Sequence, residues 1–514
     1  MFFMSINSTR NNAVHGLSVI LFFVSTFCFG QVEQPNRIEI PIPEEGKENY
    51  TVVSAQMDGL VLYQKLRGKR DDQLEIIRLD TLLNEVWKGY IGLERDLVPV
   101  FKTVYQNVLF ILLKNQDALK ANFWVVFLDL QTRSYKVCPV NNFILFNPTE
   151  FVATSDAVMI GGYFNYRPLV LYFSFTTQKS KILPGFFNEP GELLQLKPNE
   201  NGTFDVIVAS KNIDRRTCLW IRNYDSDGGL IKTTVLEPDP GKNFIFGRSV
   251  KTPDQEQVVA GVYGKTTEFS RGIFVAHINA YGEYKINYYN FGDLENFFSY
   301  MKAKREKRVK ERIERRKIKG KKIRFNYRFL VHELVPYGDQ FILLGEAFYP
   351  EYKSGYSMYG GGYSSYTYPM SSARNDMVFN GYKYTHAVAI DFAKNGTLLW
   401  DNSFEINDVK SFKLEQFVKI QPEENHITLL YLFENTIRSK IIKGAQVLEG
   451  KTLEEIKTKY EGDEVRSEGG EVNKLEYWYP GHFYAYGEQR IRNPRIGGVP
   501  PVRRVFFINK IVNK

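Results

Sequence analysis

Cysteine and histidine are scarce in this chain of 514 residues, which has three cysteines and six histidines. Cys28 lies in an N-terminal apolar run, and the two other cysteines, Cys138 and Cys218, are too few for a disulfide framework. No two of the histidines beyond that run are close enough to form a metal-binding motif, and no cysteine pair joins them. We therefore predict no metal, no cofactor and no catalytic residue, which leaves open only a site assembled from distant segments.

Long apolar runs are missing too, except for Leu17–Phe29. This run follows Arg10 and is shorter than the roughly 20 residues that a membrane-spanning helix needs. Residues 1–30 are therefore predicted to be a signal peptide that is cleaved before Gln31, with an uncleaved anchor as the alternative. The junction resembles those of exported Gram-negative proteins, which implies a periplasmic or outer-membrane-associated protein without a transmembrane segment after cleavage.

The basic character of the chain comes from one segment. The net charge is +9, but Lys302–Arg324 alone has 14 Lys/Arg against three Glu, a local charge of +11. Without residues 1–30 and this segment the remainder carries −3. For an exported protein, an anionic lipid or lipopolysaccharide surface, or an acidic envelope protein, is the expected partner. Nucleic acid is disfavoured, since an exported protein rarely meets it.

A short alternating strand recurs along the chain, and the first five copies are spaced about 50 residues apart. That spacing suits one four-stranded sheet per copy, as in a propeller blade. The copies predict an all-β propeller of seven or eight four-stranded blades over residues 31–514, with a β-sandwich or two β-domains as competing folds. They begin at Gly59, Val108, Ala157, Phe204, Gln257, Gln340, His426 and His482. In outline the chain resembles WD40-like and secreted bacterial β-propellers, a resemblance that implies a fold and no activity.

The first predicted insertion is the basic helical segment 293–324. Asp293 is expected to cap a helix over Leu294–Lys319, and Phe297 and Phe298 are expected to hold its first turns against a blade. The distal part is too charged to be buried, so it is either a contact surface or a solvated spacer. The candidate contact residues are Lys307, Arg308, Arg312, Arg315 and Arg316.

The second predicted insertion is the Tyr/Gly/Ser-rich loop 351–376, which shows no strand alternation. Glycine frees its backbone, and tyrosine offers contact area to a glycan or a peptide. The alternative is a disordered surface loop. Its candidate contact residues are Tyr356, Tyr359, Tyr363 and Tyr366.

The two ends of the chain are predicted to meet. Arg37–Glu44 alternates like a strand but belongs to no copy, and the last copy ends on a strand around Val505–Ile511. Pairing between them closes the ring and protects both strand edges.

These features predict an exported, non-enzymatic β-propeller that serves as a binding or scaffold component of the bacterial cell envelope. The rival function is a propeller hydrolase or lyase that acts on polysaccharide, with carboxylates and histidines gathered in the central channel. Channel composition separates the two, because converging acids and histidines with a deep pocket favour an enzyme and an apolar channel favours a scaffold.

Overall fold

The computed structural model describes residues 32–42, 50–117, 122–142, 144–186, 190–199, 201–354, 377–466, 473–495 and 497–513. The predicted signal peptide lies outside these residues. Within them the chain forms eight antiparallel sheets, which we number as blades 1 to 8 in chain order.

The first half of the chain forms blades 1 to 4, each a meander of four strands. The strands before blade 1 are β1 Val32–Glu33 and β2 Arg37–Pro41. Blades 1 and 2 consist of β3 Thr51–Ser54, β4 Leu60–Leu66, β5 Asp72–Leu79, β6 Glu85–Leu93, β7 Leu97–Tyr105, β8 Val108–Asn115, β9 Phe123–Asp129 and β10 Tyr135–Val140. Blades 3 and 4 consist of β11 Asn147–Ala153, β12 Ala157–Phe164, β13 Arg167–Ser174, β14 Ser180–Ile182, β15 Gly191–Pro198, β16 Phe204–Lys211, β17 Thr217–Tyr224 and β18 Leu230–Leu236.

The second half forms blades 5 to 8. Blades 5 and 6 consist of β19 Asn243–Lys251, β20 Gln257–Gly264, β21 Ser270–Ile278, β22 Tyr284–Asn290, β23 Arg328–Tyr337, β24 Gln340–Ser354, β25 Met377–Ala393, β26 Leu398–Glu405 and the short β27 Lys410–Ser411. Blades 7 and 8 consist of β28 Lys419–Pro422, β29 Ile427–Phe433, β30 Thr436–Lys443, β31 Gln446–Glu455, β32 Glu464–Arg466, β33 Lys474–Tyr479, β34 His482–Arg492 and β35 Val502–Asn513.

The blades are arranged as a ring: first strands contact each other from blade 1 to blade 6 and between blades 7 and 8, and apolar clusters join blades 6 and 7 and blades 8 and 1. Apolar clusters fill the spaces between neighbours: one joins blades 1 and 2, and another joins blades 8 and 1. The second strands supply much of this core because most of their residues are apolar on both faces, as in β12 and β20. The all-β propeller is thus confirmed, with eight blades rather than seven.

The ring closes through the N-terminal strand, as predicted. β2 pairs antiparallel with β35, so that Arg37 lies opposite Asn509 and Pro41 opposite Val505. β1 continues along the same strand at Val32 and Asn513. The prediction is confirmed over Arg37–Pro41, and the last two residues of the predicted strand lie outside the described residues. The last blade therefore contains strands from both ends of the chain.

The helix of the basic insertion is shorter than predicted. In the described part of the chain, α1 spans Ala303–Ile318 and is the one α-helix; residues 294–301 form turns. Asp401 of blade 6 explains the late start, because its carboxylate accepts the backbone N–H groups of Glu295 and Asn296 at 2.8 Å each. Asp293 does not cap the helix and instead accepts the backbone N–H of Asn290.

The predicted Tyr/Gly/Ser-rich loop begins later than residue 351, because the hairpin of blade 6 is unusually long. β24 continues to Ser354 and β25 starts at Met377, with Tyr352 opposite Phe379. Strand pairing with 377–380 imposes an extended backbone on a segment that lacks alternation. Tyr356, Tyr359, Tyr363 and Tyr366 lie outside the described residues.

Both insertions emerge from one face of the ring. In a four-stranded meander, the connection between the second and third strands and the connection to the next blade lie at the same end. The basic insertion connects β22 to β23, and the long hairpin of blade 6 connects its second and third strands. The two cysteines lie apart, buried in β10 and β17. Among the described residues no helix has the length and apolar character to cross a bilayer.

Candidate functional site

α1 lies against the ring instead of projecting from it. Ile313 is buried in the apolar cluster between blades 5 and 6, and Val309 packs against the same cluster. Leu294, Phe297 and Phe298, which precede the helix, are buried there too, as predicted for the two phenylalanines. The burial of Ile313 fixes the rotation of the helix and so decides which charged residues face water.

One side of α1, together with the residue that caps its C-terminus, carries four exposed cations in a row. Arg308, Arg312, Arg315 and Lys319 follow each other at helical spacings of four, three and four residues, and we call them the cationic strip. Within the described part of the chain no carboxylate lies at salt-bridge distance from any of them. The strip is about 16 Å long at a rise of 1.5 Å per residue.

The five predicted contact residues of the helix do not share one side. Arg308, Arg312 and Arg315 belong to the cationic strip. Arg316 is half-buried and donates from Nη1 to the carbonyl oxygen of Lys322 at 2.9 Å. Lys307 is exposed beside the strip, and it lines the same shallow groove as Glu311, Glu314 and Arg315.

The segment before α1 is held by a buried histidine. The imidazole of His386, in β25, stacks on the ring of Tyr300 with a centroid distance of 3.7 Å and an interplanar angle of 5°. The hydroxyl of Thr385 lies 2.9 Å from its Nδ1. Burial lowers the pKa of His386 to about 3, so the ring is neutral at physiological pH. The stack therefore anchors the basic segment without a charge.

The described stem of the long hairpin carries exposed aromatic residues. Tyr352 and Phe379 pair across the hairpin with centroids 5.8 Å apart, and Phe412 lies 6.3 Å from Phe379. Tyr352 is 53% exposed and Phe412 is 70% exposed. This part of the predicted loop thus offers aromatic surface on the same face of the ring as α1.

The central channel is lined with charge. Among the described residues, we call seven charged residues on the first strands of seven successive blades the charged channel: Lys102, Glu150, Lys197, Arg248, Glu333, Lys419 and Glu476. Several of these strands carry a β-bulge, for example at Pro99/Phe101 and Val331/Leu334. A bulge redirects side chains locally, and here it occurs on the strands that face the channel.

Charge effects on pKa values between blades that are not neighbours indicate that Glu150, Lys197, Arg248 and Glu333 face a common space. Burial lowers the pKa of Arg248, whereas the carboxylates of Glu150 and Glu333, two blades before it and one after it, act to raise it. Burial also lowers the pKa of Lys197, and Glu333, two blades further on, opposes that effect. Such residues meet only across the channel.

Some charges in and beside the channel are tightly held. Lys419 and Glu476 form an ion pair of 2.7 Å between blades 7 and 8. His332 lies in the bulge of β23, with Nε2 3.1 Å from Oε2 of the fully buried Glu346. Glu346 also accepts the backbone N–H of Val418 at 2.6 Å and so connects blade 6 to blade 7.

Two acids near the channel have raised pKa values. Burial raises the pKa of Glu150, with Arg248 opposing it, and burial raises the pKa of Glu192. A carboxyl group with a raised pKa is suited to proton donation near neutral pH. The described residues hold no group of three His, Cys, Asp or Glu side chains that is arranged for a metal ion.

The charged channel was missed by the sequence analysis, although a signal exists. Each of its residues stands six to nine positions before the start of a repeat copy. The copies are defined by the alternating pattern of the second strand of each blade, and that pattern includes no residue of the first strand. An apolar channel was expected for a scaffold, and the channel is instead charged. Of the features expected for an enzyme, the described residues show converging acids but no pocket rich in histidine.

No protein-family model and no curated protein sequence matches this chain. Similar solved structures include a polysaccharide lyase, Uly1, with a TM-score of 0.39, 10% identity, and coverage of 80% of this chain and 89% of that chain. A protein from Lactobacillus plantarum has a TM-score of 0.33, 14% identity, and coverage of 76% and 96%. A cobalt-substituted apocarotenoid oxygenase from Synechocystis has a TM-score of 0.27, 8% identity, and coverage of 43% and 55%.

Proposed function

We propose that this protein is an exported binding component of the bacterial envelope, in which the eight-bladed ring is a platform and the cationic strip binds an anionic lipid surface. The observation that carries the proposal is the row formed by Arg308, Arg312, Arg315 and Lys319, exposed and without carboxylate partners among the described residues. A straight row of cations suits a plane that carries many phosphates.

The anchoring of α1 supports this function. Ile313 and the aromatic residues before the helix hold it on the ring, so the strip loses little conformational freedom on binding. The remainder of the mature chain has a net charge of −3. The basic helix is therefore the part of the protein that attracts an anionic surface. A cation near an anionic membrane contributes about 1 kcal/mol.

Vesicle binding tests the proposal. The triple variant Arg308→Gln, Arg312→Gln, Arg315→Gln is expected to bind phosphatidylglycerol vesicles about 100-fold more weakly than the wild type, since it loses three such contributions. Wild-type binding is expected to weaken with salt because exposed charges are screened. Binding to lipopolysaccharide micelles is measured in parallel. It shows whether the strip binds the phosphates of lipopolysaccharide or those of phospholipid.

A charge-matched control keeps this test specific. Arg133→Gln, Lys136→Gln, Lys179→Gln removes three exposed cations on the opposite face of the ring and is expected to bind like the wild type. Equal binding of the wild type to uncharged vesicles, or equal weakening in both triple variants, contradicts the proposal.

Export is tested separately. The full chain, produced in a Gram-negative host, is expected in the periplasmic fraction with a mass that lacks residues 1–30. Recovery of the full-length protein in the cytoplasm contradicts the proposed location. The result of the vesicle experiment does not depend on this outcome.

A second candidate function is a polysaccharide hydrolase or lyase. The observation in its favour is that Glu150 and Glu333 share the channel with Arg248 and that burial raises the pKa of Glu150. Incubation with acidic and neutral polysaccharides, read out as new reducing ends, tests it. Cleavage by the wild type that is lost in both Glu150→Gln and Glu333→Gln supports the enzyme, whereas no cleavage rejects it for the polysaccharides used.

A further inference from the structure

A cleft opens at the channel where the ring has one of its shortest first strands. β3 of blade 1 has four residues, whereas β7 of blade 2 has nine. The space left between these strands is a cleft of about 380 Å³, within the range of small-ligand sites. Its lining residues are Thr51, Tyr63, Gln64, Lys65, Pro99, Val100, Phe101 and Lys102.

The lysines around this cleft differ in whether a carboxylate already pairs with them. Lys65 is buried against Asp72 at 2.8 Å. From blade 8, Lys474 approaches Glu415 at 3.9 Å. In the described part of the chain, Lys102 has no carboxylate at salt-bridge distance, although it is half-buried.

The nearest acid on blade 8 does not satisfy Lys102, because Glu476 is paired with Lys419 at 2.7 Å. Burial and the ammonium group of Lys474 lower the pKa of Lys102 to about 8, with Glu476 opposing them. A desolvated cation without a counterion is costly, and a bound anion removes that cost.

We propose that the cleft between blades 1 and 2 binds a small organic carboxylate, whose carboxylate group pairs with Lys102. The single unpaired cation matches a single negative charge. The hydroxyl groups of Tyr63 and Thr51 form a hydrogen bond with each other, which leaves one hydroxyl donor of the pair for the ligand, and Phe101 offers an apolar wall. The site is separate from the cationic strip, so the two proposals succeed or fail independently.

Calorimetry with D-glucuronate as the probe tests the site. D-Glucuronate is expected to bind at pH 7, whereas D-glucose, which lacks the carboxylate, is expected not to. Lys102→Gln is expected to abolish binding. The matched control Lys114→Gln removes a lysine of the same blade that does not line the cleft, and it is expected to bind like the wild type.

Binding is also expected to depend on pH with a defined sign. Lys102 is charged below about pH 8 and neutral above it, so D-glucuronate affinity is expected to fall about tenfold from pH 7 to pH 9. Lys102→Arg keeps its charge at pH 9 and is expected to remove most of this fall. The charged and titratable groups that face Lys102 (Lys474, Glu476, Lys65 and Tyr63) are present in both proteins.

The outcomes separate the possibilities. Binding of glucuronate and not glucose, lost in Lys102→Gln with an unchanged thermal midpoint, supports the site. Binding of inorganic sulfate in place of glucuronate overturns the carboxylate assignment. Equal binding of glucose, no binding at all, or binding that Lys102→Gln leaves unaltered overturns the proposal.

Discussion

The imidazole of His386 lies parallel to the ring of Tyr300 at a centroid distance of 3.7 Å, inside the junction of blade 6 with the basic insertion. His386 belongs to the blade and Tyr300 to the insertion, so one stacked pair joins the segment that carries α1 to the ring. The hydroxyl of Tyr300 lies 3.3 Å from that of Tyr327, which follows the far end of the same insertion. We therefore expect the pair to contribute, together with the buried Phe297, Phe298 and Ile313, to holding the cationic strip on the ring.

Removing the Tyr300 ring is expected to loosen α1. Tyr300→Ala is expected to destabilise the protein by about 2 kcal/mol, because the buried His386 loses its stacking partner and a cavity remains. Trypsin is expected to cut within Ala303–Ile318 sooner than in the wild type, since that helix is rich in Lys and Arg. Limited proteolysis with mass spectrometry provides the measurement.

The matched control is Tyr300→Phe, which keeps the stacked ring and loses only the hydroxyl contact. It is expected to resist trypsin nearly as well as the wild type. If Tyr300→Ala is cut no faster than Tyr300→Phe, the stack does not hold the helix.

Ring closure is expected to depend on Arg37. Its guanidinium donates to Oε1 of Gln489 at 2.7 Å and to Oδ1 of Asn509 at 2.8 Å, and its Nε lies 2.8 Å from Glu39. Arg37→Met leaves the buried Glu39 with one cation fewer. We expect a loss of about 3 kcal/mol in urea unfolding, in line with breaking a buried ion pair.

Arg492→Met is the control for this substitution, because Arg492 is exposed on β34 of the same blade. It is expected to change stability by less than about 0.5 kcal/mol. Equal stabilities of the two variants mean that strand pairing alone closes the ring.

The blade pattern was readable from the sequence because it is local. Each second strand, such as Gln257–Gly264, is apolar on both faces and recurs at a regular spacing. The closing strand was readable for a similar reason. Polar and apolar residues alternate in Arg37–Pro41, and this segment belongs to no repeat copy. Length and alternation are properties of the chain itself.

The start of α1 was not readable, because a distant residue decides it. Asp401 captures two backbone N–H groups more than 100 positions earlier in the chain and holds that segment in turns. Nor does charge alone tell which arginines face water. The burial of Ile313 sets the rotation of the helix, and that burial depends on the meeting of blades 5 and 6.

The charged channel was not predicted from the sequence for a third reason. Lys102 and Glu476 are far apart in sequence, and they approach only because the ring brings blade 2 and blade 8 together at its centre. No local pattern expresses that approach. The regular position of one charged residue before each copy is the trace that it leaves in the sequence.

The buried Asp391 is expected to impose a pH dependence on stability. It lies in β25 opposite Trp400 and is fully buried, and this burial raises its pKa to about 7. In the unfolded chain the same carboxyl releases its proton near pH 4. Between these values the folded state retains a proton that the unfolded state has lost, so this residue makes the protein less stable as the pH rises from 4 to 7.

Comparison with Asp391→Asn isolates this contribution, because asparagine has nearly the same shape and does not titrate in this range. Measured by urea unfolding, the stability of Asp391→Asn relative to the wild type is expected to increase between pH 4 and pH 7, by on the order of 3 kcal/mol, and then to level off. Other titrating groups cancel in the difference because they are shared. A difference that stays constant across this range means that Asp391 is ionised in the folded protein at low pH, held by a contact strong enough to offset its burial.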